Sequence, residues 1–234
     1  MTAALPLVLV PGLLCDAELW AHQRQHLADI AGMTVADTLQ DNSITDMARR
    51  LLENAPPRFA LAGLSMGGYI ALEAVRQAPE RIARLALVDT SARLDRPELA
   101  ARRRGLIELA QKGKFRGVTP RLLPMLIHPG RLQDTALVET ITRMAENTGR
   151  DAFIRQQTAI LNRPDARPRL AAIRAETIVI CGRQDAITPQ EVAEEMAAGI
   201  PGAHLHILGD CGHLAPLERP ELVTSLFRTW LTGG

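Results

Sequence analysis

Apolar positions along this chain follow two alternating rhythms. Short apolar-rich runs occur at residues 5–10, 33–38, 59–63, 85–88, 177–181 and 205–208. Runs of this length, closed by Pro-Gly or Gly, predict strands buried on both faces. Between them the apolar residues recur at helical spacing. Ile70, Ala71, Ala74, Val75 and Ala78 share one face of a helix that Pro79 ends. Met47, Leu51 and Leu52 turn inward from a helix over 45–53, and a weakly amphipathic helix is predicted over 18–30. Strands alternating with helices imply a parallel sheet joined by right-handed crossovers.

About 80 residues between the fourth and fifth strands break the alternation. Their apolar residues fall at helical spacing around Leu106, Ile107 and Leu109, and again around Leu137, Val138, Ile141 and Met144. The expectation is one α/β domain over 1–234 with a helical cap inserted at about 91–175. Residues 93–131 of it hold ten Lys or Arg against three Asp or Glu. Either a solvated helical face or an attraction for an anionic substrate, such as a carboxylate or a coenzyme A thioester, accounts for that excess. The run Leu122-Leu123-Pro124-Met125-Leu126-Ile127 suits a cover over an acyl pocket and packing onto the main domain equally well.

Composition narrows the function classes. A formal net charge of +1 offers no global attraction for nucleic acid or an anionic membrane, and 3% aromatic residues leave little for stacking on bases. No apolar stretch approaches a membrane span. Met1-Thr2-Ala3-Ala4 lacks a basic n-region and runs into a strand rather than a secretory apolar segment. Cys15, Cys181 and Cys211 form neither a C-x-x-C pair nor an even disulfide set, so a reducing, cytoplasmic setting is expected. Cys15 and Cys211 read as small packing residues. No histidine pair or carboxylate cluster has metal-ligand spacing, and no metal or cofactor is expected.

The chemistry centres on Gly63-Leu64-Ser65-Met66-Gly67, between the third strand and the helix that follows it. G-x-S-x-G in strand-turn-helix context is a nucleophile elbow, in which a sharp turn exposes a serine and the glycines relieve crowding. A serine hydroxyl needs a base, and the base needs a carboxylate to orient it. These partners follow later strands in the order acid, then histidine. Asp185 follows the fifth strand and His213 the sixth. Asp89, ending the fourth strand, and Asp210, near His213, are rival acids. His22, His26, His128, His204 and His206 lie in helices, in the insertion, or in and before a strand. The oxyanion calls for two backbone N–H donors. Met66, after the nucleophile, supplies one, and Leu13, with Leu14 as the alternative, supplies the other from the loop after the first strand.

These pieces resemble the α/β-hydrolase superfamily, in its small, cap-bearing esterase-like members. Val10-Pro11-Gly12, Gly63 to Gly68, Leu87-Val88-Asp89-Thr90, Gly182 to Pro189, Gly212-His213 and Glu218-Arg219-Pro220 carry the likeness. It implies a six-stranded, mainly parallel sheet flanked by helices, and a Ser65-His213-Asp185 triad. The chain departs from the pattern in three ways. Pro11-Gly12 stands where His-Gly is common, residues 37–43 lack a glycine-rich loop, and the N-terminal antiparallel hairpin is missing. The activity implied is cleavage of a small-molecule carboxylic ester through an acyl-enzyme. Lactone, thioester or C–C cleavage, a lyase reusing the triad, or ligand binding without turnover are alternatives on the same scaffold. Oligomeric state is not legible.

Overall fold

The computed structural model describes residues 5–233, so Met1 to Ala4 and Gly234 lie outside the described residues, the apparent lack of a basic leader with them. Six strands form one sheet: β1 (Leu7–Val10), β2 (Met33–Val35), β3 (Phe59–Leu64), β4 (Ile82–Val88), β5 (Glu176–Gly182) and β6 (His204–Leu208). Their order is β2-β1-β3-β4-β5-β6, with every pairing parallel. The chain starts inside the sheet, steps outward to β2, then crosses back to β3. This reversal places the loops after β1 and β3 side by side, where doubly wound sheets bind ligands.

Alternation along the strands divides the core. Val8, Val10, Leu61, Leu85 and Val179 pack on one face, under α2 (Ile44–Asn54) and α3 (Met66–Gln77). Leu7, Leu9, Ala60, Ala62 and Ile180 face the other way. They meet Trp20, and Phe227 and Trp230 from α9 (Pro220–Thr232). Successive side chains of a strand point to opposite faces, so an uninterrupted apolar run serves both.

Two predicted elements are shorter than expected. The helix over 18–30 is a 3-10 turn, Ala17–Trp20, leading into α1 (Ala21–His26). The Asp16 carboxylate caps the turn by accepting from the Glu18 N–H, and the chain leaves the helix at Leu27. β2 ends at Val35 instead of continuing to Thr38, because Asp37 Oδ1 accepts the Leu39 N–H and turns the chain.

Between β4 and β5 lie α4 (Pro97–Gln111), α5 (Leu123–Leu126) and α6 (Thr135–Leu161). The last is broken at Gly149, with φ 74° and ψ 174°. After β5 come α7 (Gln190–Gly199) and, beyond β6, α8 (Ala215–Glu218). No described helix is long and apolar enough to cross a membrane.

Candidate active site

Ser65 ends β3 and caps α3 at φ 54° and ψ −113°. A non-glycine residue in that region costs about 1–3 kcal/mol and persists only where its surroundings enforce it. Here the Ser65 N–H donates to Val88 O of the neighbouring strand, and Thr90 Oγ1 donates to Ser65 O at 2.7 Å. The turn is also tight. A Cβ on Gly63 would lie 2.2 Å from Gly67 O, and one on Gly67 would lie 2.2 Å from Val10 O. Both glycines of the pentapeptide are therefore steric requirements of the strand-helix junction.

Asp185 and His213, 28 residues apart, meet at the ends of adjacent strands. His213 Nδ1 lies 2.8 Å from Asp185 Oδ2, with both side chains buried. The second Asp185 oxygen accepts the N–H groups of Ile187 and Thr188. Thr188 Oγ1 donates to Oδ2 at 2.6 Å. Burial pushes the Asp185 carboxyl upward, but the His213 charge and hydrogen bonds from His213 and Thr188 outweigh it and hold it below its ordinary 3.8. For His213, burial lowers the imidazolium and the Asp185 charge and hydrogen bond raise it, leaving it above 6.5.

The rival acids are engaged elsewhere. Asp89 is fully buried, with Oδ1 accepting the Gly182 N–H and Oδ2 the Ala215 N–H, so it ties the end of β5 to the start of α8. Burial and the Asp185 charge hold its carboxyl well above 3.8. Asp210 is exposed and pairs with Arg219.

Three further residues hold this site; Thr188 and Glu218 lie in stretches that carry the family likeness without a role legible there, and Gln156 has no signature in sequence. Glu218 is buried, its Oε1 accepting from the Gly212 and Leu214 N–H groups on either side of His213. Its Oε2 accepts from the His128 N–H, which fastens the inserted segment to the histidine loop. Thr188 orients Asp185 as described. Gln156, buried in α6, accepts the Leu14 N–H on Oε1 and donates from Nε2 to Thr38 O. Gln156 and the Glu218 Oε2 work through backbone groups distant in sequence, which residue type alone does not reveal.

Gln156 also sorts the candidate oxyanion donors. The Leu14 N–H is already committed at 3.1 Å. The Leu13 N–H has no acceptor among the described residues, and the Met66 N–H belongs to the first turn of α3, which has no intrahelical acceptor.

Ser65 and His213 line one cavity of about 390 Å³, with Leu13, Leu14 and Tyr69 beside them. α4 and the segment after it, together with Ile141, Met144 and Phe153 of α6, form the opposite wall. The apolar run at 122–127 divides between both expected roles. Leu122, Met125 and Leu126 line the cavity, while Leu123 and Ile127 are buried in the core.

A model of the alpha/beta hydrolase fold matches residues 6–220 of this sequence. The chain belongs to the α/β-hydrolase fold family. Among curated relatives it is similar to a pimeloyl-[acyl-carrier protein] methyl ester esterase of Nitrosomonas europaea, 28% identical over 87% of this chain and 83% of the relative. It is also similar to a 2-hydroxy-6-oxononadienedioate/2-hydroxy-6-oxononatrienedioate hydrolase of Escherichia coli, 26% identical over 90% of this chain and 77% of the relative. Among solved structures, a thermophilic esterase from Thermogutta terrifontis superposes with a TM-score of 0.87 at 30% identity, covering 98% of this chain and 90% of that one. An enol-lactonase from Burkholderia xenovorans reaches 0.87 at 23% identity, covering 97% and 92%, which speaks for the fold alone.

The other titratable groups of this α/β hydrolase have separate roles. His22 Nδ1 lies 2.8 Å from Thr224 Oγ1, and the His22 and His26 rings are 4.2 Å apart. His128 Nδ1 accepts the Gly130 N–H, while His204 and His206 stand on β6. All three cysteines are free and buried. Burial pushes the Cys15 thiol up to about 12 and raises those of Cys181 and Cys211 as well. Ligand-type atoms of Asp89, Cys181 and Asp185 lie within 4.8 Å of one another. The two carboxylates accept protein hydrogen bonds on both oxygens, and the Cys181 thiol contacts the Gly182 and Thr188 carbonyls.

Proposed function

We propose that this α/β hydrolase cleaves carboxylic esters of small molecules through a Ser65-His213-Asp185 triad. The observation that carries the reading is the buried His213–Asp185 pair, whose histidine lines the same cavity as a serine held at positive φ. Neutral His213 takes the Ser65 proton as Oγ attacks the ester carbonyl, and ionised Asp185 stabilises the imidazolium that forms. The Leu13 and Met66 N–H groups donate to the developing oxyanion, and Met66 adds the positive end of α3. The imidazolium then protonates the departing alcohol, leaving an acyl-enzyme. Water, deprotonated by His213, releases the acid and restores Ser65. In this reading residues of about 91–175 act as the cap over the cavity. No metal or cofactor enters a step, and three buried thiols suit a reducing, cytoplasmic setting.

The test is active-site labelling with a fluorophosphonate probe. The wild-type protein should be modified at Ser65 and the Ser65→Ala variant should not. Folded wild-type protein that resists the probe would sink the proposal. A panel of p-nitrophenyl esters, with a lactone and an acyl thioester alongside, identifies the bond. Turnover confined to the lactone or the thioester would replace ester cleavage as the activity.

A further inference from the structure

The cavity that joins Ser65 and His213 has an uneven electrostatic lining. Its catalytic end is buried and apolar, with His213 only 3% exposed. Arg102, Arg103, Lys114 and Arg116, all from α4 and the segment after it, also enter the wall, and no aspartate or glutamate does. Of the four, only Arg103 is neutralised: its Nε lies 2.6 Å from Asp95 Oδ2 and its Nη1 donates to Gln157 Oε1.

The remaining three, all exposed, form no ion pair among the described residues. The Arg102 guanidinium touches only the Met125 sulfur, at 3.7 and 3.8 Å, a weak acceptor that leaves its planar fork free. Of the three acids of the same stretch, Glu98 is exposed and outside the cavity wall, and the other two are turned to other partners. Asp95 sits between Arg103 and Arg163, and Glu108 pairs with Lys112. A simply solvated helical face intersperses both signs. Here Arg102, Lys114 and Arg116, three of the cations without carboxylate partners, reach one cavity, and low-dielectric walls around such a cluster focus its field.

We infer that the preferred substrate is an amphipathic ester: an apolar chain carrying an anionic group at the end remote from the scissile carbonyl. The inference rests on the ester-hydrolase reading above for which end reacts. The carbonyl meets Ser65 at the buried end, the chain lies along Leu122, Met125, Met144 and Phe153, and the anion reaches Arg102, Lys114 and Arg116. Guanidinium forks bind carboxylate and phosphate alike, so the anion itself is left to the measurement.

Binding to the Ser65→Ala protein, measured calorimetrically, separates this inference from turnover. The probes share a chain: monomethyl suberate, its neutral dimethyl ester, and the corresponding ω-phosphono methyl ester. An anionic probe should bind about tenfold tighter than the diester, as several exposed ion pairs together provide. The advantage should disappear at about 0.5 M NaCl, where screening acts over a few ångströms. It should also disappear when Arg102→Gln, Lys114→Gln and Arg116→Gln are combined, and persist in the control Arg121→Gln, which leaves the cavity wall intact. The tighter of the two anionic probes names the tail. Equal binding of charged and neutral probes, or a preference that survives the triple substitution, would overturn it. Hydrolysis retained by Ser65→Ala would instead overturn the triad and leave the binding result standing.

Discussion

Ser65 occupies a backbone conformation that only its neighbours make tolerable: Val88 O holds its N–H, Thr90 holds its carbonyl, and Gly63 and Gly67 leave no room for a Cβ. That investment in one residue's geometry leads to a direct test. Ser65→Ala should lower kcat/KM on a p-nitrophenyl ester by at least about 10³-fold with little change in Tm, since triad removal leaves only oxyanion and binding contributions. For Asp185→Asn, kcat should fall by about 10⁴-fold. The base must be neutral, and His213 titrates above 6.5 mainly because Asp185 offsets its burial. Activity of the wild type therefore falls as pH drops through that raised value. Without the Asp185 charge the limb should move to lower pH, and a pH profile of kcat/KM with an unmoved limb would refute the assignment. At this scale Ser65, Asp185 and His213 were legible because strand ends mark them. The roles of Glu218 and Thr188 were not, although both stand in stretches that carry the family likeness, and Gln156 was not legible at all: it meets Leu14 across 142 positions, and nothing in residue type announces that contact.

Elements position these residues, and two of them invite tests of their own. α8 presents the Glu218 carboxylate to three N–H groups of two segments. Glu218→Gln replaces one accepting oxygen with a donor facing donors. It should destabilise the fold by about 1–3 kcal/mol in urea unfolding and reduce kcat more than it changes KM, because His213 loses its brace. An unchanged kcat would mean that the brace is structural only. α6 depends on Gly149, whose φ of 74° and ψ of 174° suit glycine alone and whose missing Cβ would meet nothing within 4 Å. Gly149→Ala should therefore cost about 1–3 kcal/mol from backbone conformation without a steric clash, and a Tm equal to wild type would contradict that. Strand positions and α3 were readable from apolar runs and a terminating proline. The end of β2 was not, because a side-chain turn at Asp37 decides it.

The whole molecule gathers three carboxyl groups around one histidine with opposite consequences for stability. Asp185, lowered below 3.8, stabilises the fold above that pH, and its contribution is lost as pH falls through the lowered value. Asp89 is raised well above 3.8, so its linked stability is full below 3.8 and is lost as pH rises through its folded value. Asp89→Asn removes an acceptor and should destabilise overall, yet its stability relative to wild type should improve as pH rises from 3.8. Parallel unfolding curves across that range would show that Asp89 does not titrate as described. The linear chain by itself determined the alternation of strands and helices, the elbow at Ser65, and the order in which an acid and a histidine follow it. Those properties follow from local sterics and from burial on both faces of a parallel sheet, and they are written in adjacent residues. Only the tertiary structure decided that Asp185 rather than Asp89 meets His213, that Gln156 occupies the Leu14 amide, and that three unpaired cations share a cavity with Ser65. Those outcomes depend on which strand ends lie side by side and which charges find partners across the fold, and composition and spacing carry neither.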